Sequence, residues 1–250
     1  MRLRIIKYRR MANGKYKVEL DDGRDLLLYE DVILKYELLL LKEIDDKLLI
    51  EVDKANQEWD VYYVALKSLK SRFKSIKDLR DSLLKKEYPK DLVESAINRL
   101  IKQGYLDDNS FARGYINTQI VTSLKGPNKI SKELFIKGVS NNIIVEELKV
   151  FDVNLQKEKI EKVINKEIKI NRTRGGVILK NKIVNDLINL GYNLDIVQSV
   201  IDKFEFSNNL DIAKKEYDKL YKKLSRKYSG RELEYKIKEK LYQKGLYYED

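Results

Sequence analysis

The first thirty residues alternate between apolar and polar positions with a period of two. The alternation covers residues 2–8 and 15–20, and it predicts two half-buried β-strands. Asn13-Gly14 lies between these segments, and Asp21-Asp22-Gly23 follows the second. Asn, Asp and Gly tolerate the positive φ of tight turns, so both sites predict hairpin connections.

A third strand is predicted at Leu26-Leu27-Leu28, which makes residues 1–29 a small three-stranded antiparallel sheet. A sheet of this size needs a helix against one face to be stable. Helices predicted at about 30–40 and 45–55 can supply that cover. Residues 1–55 are therefore predicted to form a small β/α subdomain.

From about residue 56 onward the apolar positions follow a helical period, with a similar interruption every fifty residues or so. At each interruption one helix ends, the chain turns and another helix starts. The residues predicted to adopt the left-handed conformation at these turns are Glu87, Gly138, Gly191 and Gly245. They are 51, 53 and 54 residues apart, and an apolar residue follows each. Glu87 departs from the glycine of the other three copies.

This period predicts four units of three helices each, the last of them incomplete. Such units bury little surface alone and stack on their neighbours. The predicted fold class is therefore mainly α, with tandem three-helix repeats in an elongated, curved, solenoid-like array behind the N-terminal subdomain. The predicted repeats cover residues 56–106, 107–152, 153–206 and 207–250.

Helix start signals agree with this division. Ser75 with Asp78 resembles a capping box, and Asp107 or Asp108 is an N-cap candidate. Pro89 and Pro127 are the chain's two prolines, and each fits the first turn of a helix, where no N–H is needed.

Composition argues against an enzyme. The chain has no cysteine and no histidine, so it lacks thiolate nucleophiles, the usual neutral-pH general base and the commonest metal ligands. No phosphate-binding glycine loop occurs either. We expect no catalytic residue, no metal and no cofactor. We also expect no membrane segment and no secretory signal, and hence a cytoplasmic protein, most simply a monomer.

Charge favours a polyanionic partner. The net charge is +11, and residues 1–55 contain 12 basic and 12 acidic residues, so the whole excess follows residue 55. A basic helical region fits nucleic acid or an acidic protein surface, although solvated Lys/Glu helix faces give the same count. The 17 tyrosines either stack on bases or form the edge of the core.

Two local motifs have competing interpretations. Gly175-Gly176 follows Arg172-Thr173-Arg174 and offers a phosphate site at a helix N-terminus, but an ordinary turn between helices is favoured. Asp107-Asp108-Asn109 lacks the later residues of a calcium loop, so N-capping is favoured there.

Basic residues recur at helix starts and turns in each repeat, and these positions are the candidates for contact with a partner or with DNA. The candidates are Arg72, Lys74, Arg80, Arg113, Lys125, Lys129, Lys132, Arg172 and Arg174.

Residues 65–148 resemble the RecX family. The resemblance is carried by ALKSLKSRFKSIKDL at 65–79, GYLDDNSFA at 104–112, and GPNKISKEL at 126–134 followed by Lys137-Gly138-Val139. The N-terminal β segment and the extra repeats resemble the longer members of low-GC Gram-positive bacteria. Among the matching residues Arg72 and Lys129 are the better candidates for partner contact, whereas most others have the character of caps, turns and packing positions.

The resemblance implies tandem three-helix repeats and a regulatory function. RecX proteins bind RecA, lie in the groove of the RecA–DNA filament and modulate its ATPase and strand exchange. They usually inhibit recombination and damp the SOS response. Partners implied are RecA, its filament and single- or double-stranded DNA. The alternative is a DNA-binding protein of tandem helix-turn-helix-like units, which steep salt dependence would distinguish.

Overall fold

The structure is a computed structural model that describes residues 2–12, 14–207 and 209–248. Asn13 of the predicted first turn and residues 208, 249 and 250 of the predicted fourth repeat lie outside the described residues. The chain forms two compact units. The first contains the residues up to Phe111 together with Lys137–Val139, and the second contains Ala112–Ile136 and the residues from Ser140 onward.

The N-terminal sheet has four strands in the described ranges, one more than predicted. The predicted strands are present as β1, β2 and β3, and the order is β3-β2-β1-β4 with antiparallel pairing throughout. The additional strand β4 lies in the segment between the two predicted helices, and Ile44 pairs with Leu3. Three residues are too few for their alternation to be recognised in the sequence. The bounds are Arg2–Arg10, Lys15–Leu20, Asp25–Tyr29 and Glu43–Asp45.

One face of this sheet packs on helices, as predicted. Leu3, Val18 and Leu28 are buried together with Val32 of α1 and Val52 of α2. Helix α1 spans Glu30–Lys35 and is shorter than the predicted 30–40, because Glu37 turns the chain at φ 49°.

Helix α2 spans Asp46–Ser71 and corrects the predicted helix at about 45–55, because it continues past residue 56, where the first repeat was predicted to begin. It contains neither Gly nor Pro, so nothing ends the helix where the hydrophobic pattern changes. Its Asp60 carboxylate joins three elements of the first unit. Lys15 donates to it at 2.7 Å, Tyr29 at 2.8 Å and Tyr88 at 3.1 Å.

The remaining described chain is helical apart from turns, which confirms the predicted fold class of three-helix repeats behind a small β/α subdomain. In the first three predicted repeats the chain makes a short turn after the second helix and a third helix begins. In the fourth, the described residues that follow the second helix, up to Tyr248, are not helical. The helices are α3 Ile76–Leu84, α4 Lys90–Lys102, α5 Asp108–Thr122, α6 Pro127–Ile136, α7 Asn141–Glu147 with a 3₁₀ turn at Leu148–Val150, α8 Val153–Ile170, α9 Gly176–Asn189, α10 Leu194–Ile201, α11 Leu210–Leu224 and α12 Gly230–Tyr242.

All four predicted turn positions adopt positive φ, which confirms that part of the repeat. The values are 63° at Glu87, 83° at Gly138, 94° at Gly191 and 70° at Gly245. The apolar residue that follows is buried in the last three copies and half-buried at Tyr88. Glu87 therefore preserves the turn geometry although it is not a glycine.

Candidate functional site

The start of α3 is held by side chains from three segments of the first unit. The Ser75 hydroxyl is fully buried, accepts from the Asp78 N–H at 3.0 Å and donates to the Lys137 carbonyl at 2.7 Å. Lys137 also pairs with the Asp78 carboxylate at 3.0 Å. The Ile76 N–H donates to Asp108 at 2.9 Å. Because these bonds satisfy the first N–H groups of α3, the loop before it has a fixed conformation.

The adjacent Asp107 and Asp108 have separate roles, and N-capping is confirmed for this pair. Asp107 accepts from the Ser110 N–H at 2.9 Å and caps α5. Hydrogen bonds from Asn109 and Ser110 lower the pKa of Asp107 to about 2. Burial raises the pKa of Asp108, which caps the neighbouring α3.

An open groove of about 440 Å³ lies beside this fixed loop. Its lining residues include Leu66, Leu69 and Leu106 together with Lys70, Phe73, Lys74 and Tyr105. The Phe73 and Tyr105 side chains are 61% and 60% exposed, which is unusual for aromatic residues at a helix junction. Phe73 also stacks on Phe111, with the ring centroids 5.8 Å apart. The groove thus combines exposed aromatic rings with lysines.

Each turn glycine lies against the N-terminus of a helix in the preceding repeat. At the Gly191 turn, the carbonyl of the preceding Leu190 accepts from the N–H of Gly126, just before α6, at 2.7 Å. At the Gly245 turn, the Lys244 carbonyl accepts in the same way from the N–H of Gly175, just before α9, at 2.9 Å. In the first unit the Lys137 carbonyl, just before Gly138, accepts from the Ser75 hydroxyl. The same contact therefore occurs three times, at the second helix of successive repeats.

This contact explains why glycine is required at three of the four turns. A Cβ at Gly138 would lie 2.7 Å from the Lys77 Cβ, and one at Gly191 would lie 2.5 Å from the Lys129 nitrogen. A Cβ at Gly245 would lie 2.2 Å from the Gly175 carbonyl oxygen. Among the described residues no such hydrogen bond reaches the turn at Glu87, which is exposed and has room for a side chain.

The hydrogen bond of Gly175 argues against a phosphate site at Gly175-Gly176. The Gly175 N–H already donates to the Lys244 carbonyl, so it is not available to an anion. Asn171 organises the preceding loop by accepting from the Arg174 N–H at 3.1 Å. These bonds favour the ordinary turn between helices.

Three of the nine predicted contact residues form ion pairs within the fold. Arg80 binds Glu94 with two bonds of 2.6 and 3.1 Å, and this guanidinium holds the pKa of the Glu94 carboxyl below its usual range. Arg113 binds Glu147 in the same bidentate manner, at 2.9 Å for both bonds. Lys125 pairs with Glu133 at 2.7 Å. Arg80 and Arg113 thus join two helices each, and Lys125 joins the loop before α6 to that helix.

The other six predicted residues are less engaged. Lys74 is half-buried and is 3.4 Å from the Ser82 hydroxyl, and Arg172 donates to the Lys169 carbonyl at the end of α8. The remaining four side chains carry no ion pair or hydrogen bond within the described ranges. Those residues are the exposed Arg72, Lys132 and Arg174 and the half-buried Lys129.

The exposure of the Phe73 and Tyr105 rings could not be predicted from the sequence. Aromatic residues beside apolar helix positions are normally assigned to the core, whereas these two lie in the turns after α2 and α4 and are exposed. Over the residues described, no cluster of acidic side chains has the arrangement of a metal site. Among the described helices, none is long and apolar enough to span a bilayer.

Comparison with known proteins identifies two matched domains. Residues 62–100 match the RecX first three-helix domain, and residues 107–148 match the RecX second three-helix domain. Regulatory protein RecX of Bacillus subtilis is 30% identical over 235 residues, which cover 93% of this chain and 89% of the relative. Regulatory protein RecX of Oceanobacillus iheyensis is 29% identical over 221 residues, or 87% of this chain and 81% of that one.

Solved structures agree with these relatives. The crystal structure of a regulatory protein RecX matches with a TM-score of 0.71 and 26% identity, covering 80% of this chain and 99% of the other. RecX from Lactobacillus salivarius matches with a TM-score of 0.53 and 29% identity, covering 60% of this chain and 97% of the other. The chain belongs to the RecX family.

Proposed function

We propose that this protein binds RecA and the groove of RecA–DNA filaments and inhibits their ATPase and strand exchange. It would thereby limit recombination and the SOS response, acting in the cytoplasm as a monomer, without a cofactor or a catalytic step. Relatives across most of the chain are named regulatory proteins, which supports a regulatory function.

The observation that carries the proposal is the loop between α2 and α3. Arg72 matches the family pattern and is exposed, while Ser75 three residues later is buried and bonded on both sides. Because the loop that carries Arg72 is held in place by Ser75, less conformational entropy is lost when Arg72 binds a partner. The neighbouring rings of Phe73 and Tyr105 add apolar area, and aromatic and arginine side chains are enriched at the centres of protein interfaces.

The second unit contributes a comparable candidate at Lys129 in the first turn of α6. This residue matches the family pattern too, and its backbone lies directly against the Gly191 turn. Its position is therefore fixed, while its ammonium group has no ion pair within the described residues. Repeated protein subunits in a filament favour a ligand with several separate contacts, since each one raises the effective concentration for the next.

Charge reversal at both residues tests the proposal. We expect Arg72→Glu with Lys129→Glu to weaken inhibition of RecA ATPase on single-stranded DNA by more than either single change. Two separate contacts, each contributing about 1 kcal/mol or more, correspond to a loss of roughly thirtyfold or greater. The measurement is the concentration of protein that halves ATPase and strand exchange, with helicity checked by circular dichroism.

A matched control reverses two exposed lysines that lie outside the proposed contacts, Lys54→Glu with Lys166→Glu. This variant has the same net charge as the first and should inhibit like the wild type. If both double variants lose inhibition equally, overall charge and not these positions governs the effect. If the Arg72/Lys129 variant inhibits at unchanged concentration, these residues are not the contacts.

A further inference from the structure

Helix α12 presents a stripe in which basic and aromatic residues alternate. Arg231, Tyr235, Lys238 and Tyr242 follow one another at spacings of four, three and four residues, so they share one face of the helix. All four are exposed, and the Tyr235 and Tyr242 side chains are 66% and 67% exposed. Tyr247 extends the stripe, because its ring meets Tyr242 edge to face at a centroid distance of 5.9 Å.

The opposite face of α12 supplies the packing of this part of the second unit. Leu233, Ile237 and Leu241 are buried against Leu220 and Leu224 of α11. The exposed tyrosines therefore contribute little to the core. They border a cleft of about 400 Å³ whose lining also includes Lys238 and Leu246.

Several tyrosines elsewhere in the protein have structural partners. Tyr29 and Tyr88 donate to Asp60, and Tyr63 donates to Asp31 at 2.7 Å. Tyr192 is buried and donates to the Leu124 carbonyl at 3.1 Å. Tyr235 and Tyr242 differ from these by their exposure, and the Lys236 ammonium lies over the Tyr235 ring, 5.5 Å from its centroid. The exposed part of each ring is available to a ligand.

The surrounding charge favours a polyanion. Residues 209–248 contain 12 basic and 6 acidic residues, a net charge of +6. Two of the acidic side chains are engaged by lysines, since buried Glu216 pairs with Lys244 and Glu239 pairs with Lys236 at 3.0 Å. Arg231 and Lys238 on the stripe have no ion pair within the described residues.

We propose that the α12 stripe binds single-stranded nucleic acid, with bases stacking on Tyr235, Tyr242 and Tyr247 and phosphates neutralised by Arg231 and Lys238. Positively charged surfaces with successive exposed rings suit unpaired strands, because every base has a face that can stack. Tyr235 and Tyr242 are separated along the axis by about 10 Å, the rise of seven helical residues. The site lies outside both matched three-helix domains, and it does not depend on RecA binding.

The test is fluorescence anisotropy of a labelled oligodeoxythymidylate with purified full-length protein and no RecA. Wild type is expected to bind, and Tyr235→Ala with Tyr242→Ala is expected to weaken binding by at least about tenfold, through the loss of two stacked rings. Tyr235→Phe with Tyr242→Phe keeps the rings and should bind within about twofold of wild type. Lys238→Glu should weaken binding more than Lys214→Glu, an exposed lysine on α11.

Unchanged binding by the alanine variant overturns the proposal, and so does an equal loss by the phenylalanine variant, which would assign the contact to the hydroxyl groups. Equal competition by duplex DNA excludes stacking on unpaired bases. Equal competition by polyglutamate indicates an acidic protein partner instead and also overturns it. Circular dichroism of each variant establishes that the helices are intact. RecA ATPase inhibition by the alanine variant tests the proposed function separately.

Discussion

At the scale of single residues, Glu87 shows how a repeated turn tolerates one departure from glycine. The left-handed conformation costs a non-glycine residue about 1 kcal/mol. Glu87 bears that cost at φ 63°, whereas Gly138, Gly191 and Gly245 have no room for a Cβ at all. Positive φ thus favours glycine at all four copies, but only the close approach at Gly138, Gly191 and Gly245 requires it.

Replacing Glu87 with glycine should therefore raise the free energy of unfolding by about 0.5–1 kcal/mol, because the strain is relieved while no contact is lost. Urea or thermal unfolding of the variant measures this. The matched control is Glu158→Gly, since Glu158 is exposed within α8 and should lose about 1 kcal/mol on the same substitution. Destabilisation at both sites to the same extent would show that Glu87 makes an unrecognised contact.

Asp107 provides a pH-dependent test at the same scale. Its folded pKa of about 2 lies below the ordinary value of 3.8, so its stabilisation is present above pH 4 and is lost as pH falls towards 2. Asp107→Ala should cost about 1 kcal/mol near neutral pH, the usual effect of removing an N-cap. The difference from wild type should shrink with acidification through that window.

Unfolding midpoints in urea at several pH values measure this difference. Asp81→Ala is the control, because Asp81 is exposed within α3 and its carboxylate accepts no hydrogen bond in the described structure. That variant should stay within about 0.5 kcal/mol of wild type. A constant Asp107→Ala difference from pH 7 to pH 2 would contradict a role for the ionised cap.

At the scale of elements, the sequence predicts most of the helix starts and turns because their signals are local. Ser75 lies three residues from Asp78, and each turn residue closes its own helix, so short-range chemistry is enough. Strand β4 and the continuity of α2 were not predictable in this way. A three-residue strand depends on its partner β1, and a helix without Gly or Pro can continue across a change of hydrophobic pattern.

The candidate site was less predictable than the helices. Arg113 pairs with Glu147, 34 residues away, and Arg80 pairs with Glu94, 14 residues away. No spacing rule links such distant residues, so the sequence could not separate basic side chains used within the fold from those left exposed. The structure makes that separation and directs attention to Arg72, Lys129, Lys132 and Arg174.

At the scale of the whole molecule, the distribution of charge matters most. The net charge is +11, and residues 209–248 hold +6 of it beyond the matched domains. The proposed function requires recognition of a protein filament, whereas the proposal for the α12 stripe rests on this local excess and requires recognition of nucleic acid. Both modes can operate in one chain if they use different surfaces.

Salt should distinguish the two modes. Binding to free single strands should weaken steeply, with a logarithmic slope of about −0.7 for each phosphate contacted. Binding to the RecA filament should weaken less, because a packed protein interface depends more on apolar burial than on released counterions. Titrations against oligonucleotide and against assembled filament over the same salt series measure both slopes. Equal slopes would indicate that the filament is recognised through its DNA.

The docking of each glycine turn on the preceding repeat has a consequence for folding. The Ser75–Lys137 contact joins residues 62 apart, and its two equivalents likewise join neighbouring repeats only. Forming each of these contacts therefore closes a chain segment of modest length, and none of them requires the distant ends of the chain to come together first. During synthesis each newly completed repeat can bond to one already folded, so that the chain gains order by successive additions from its N-terminus.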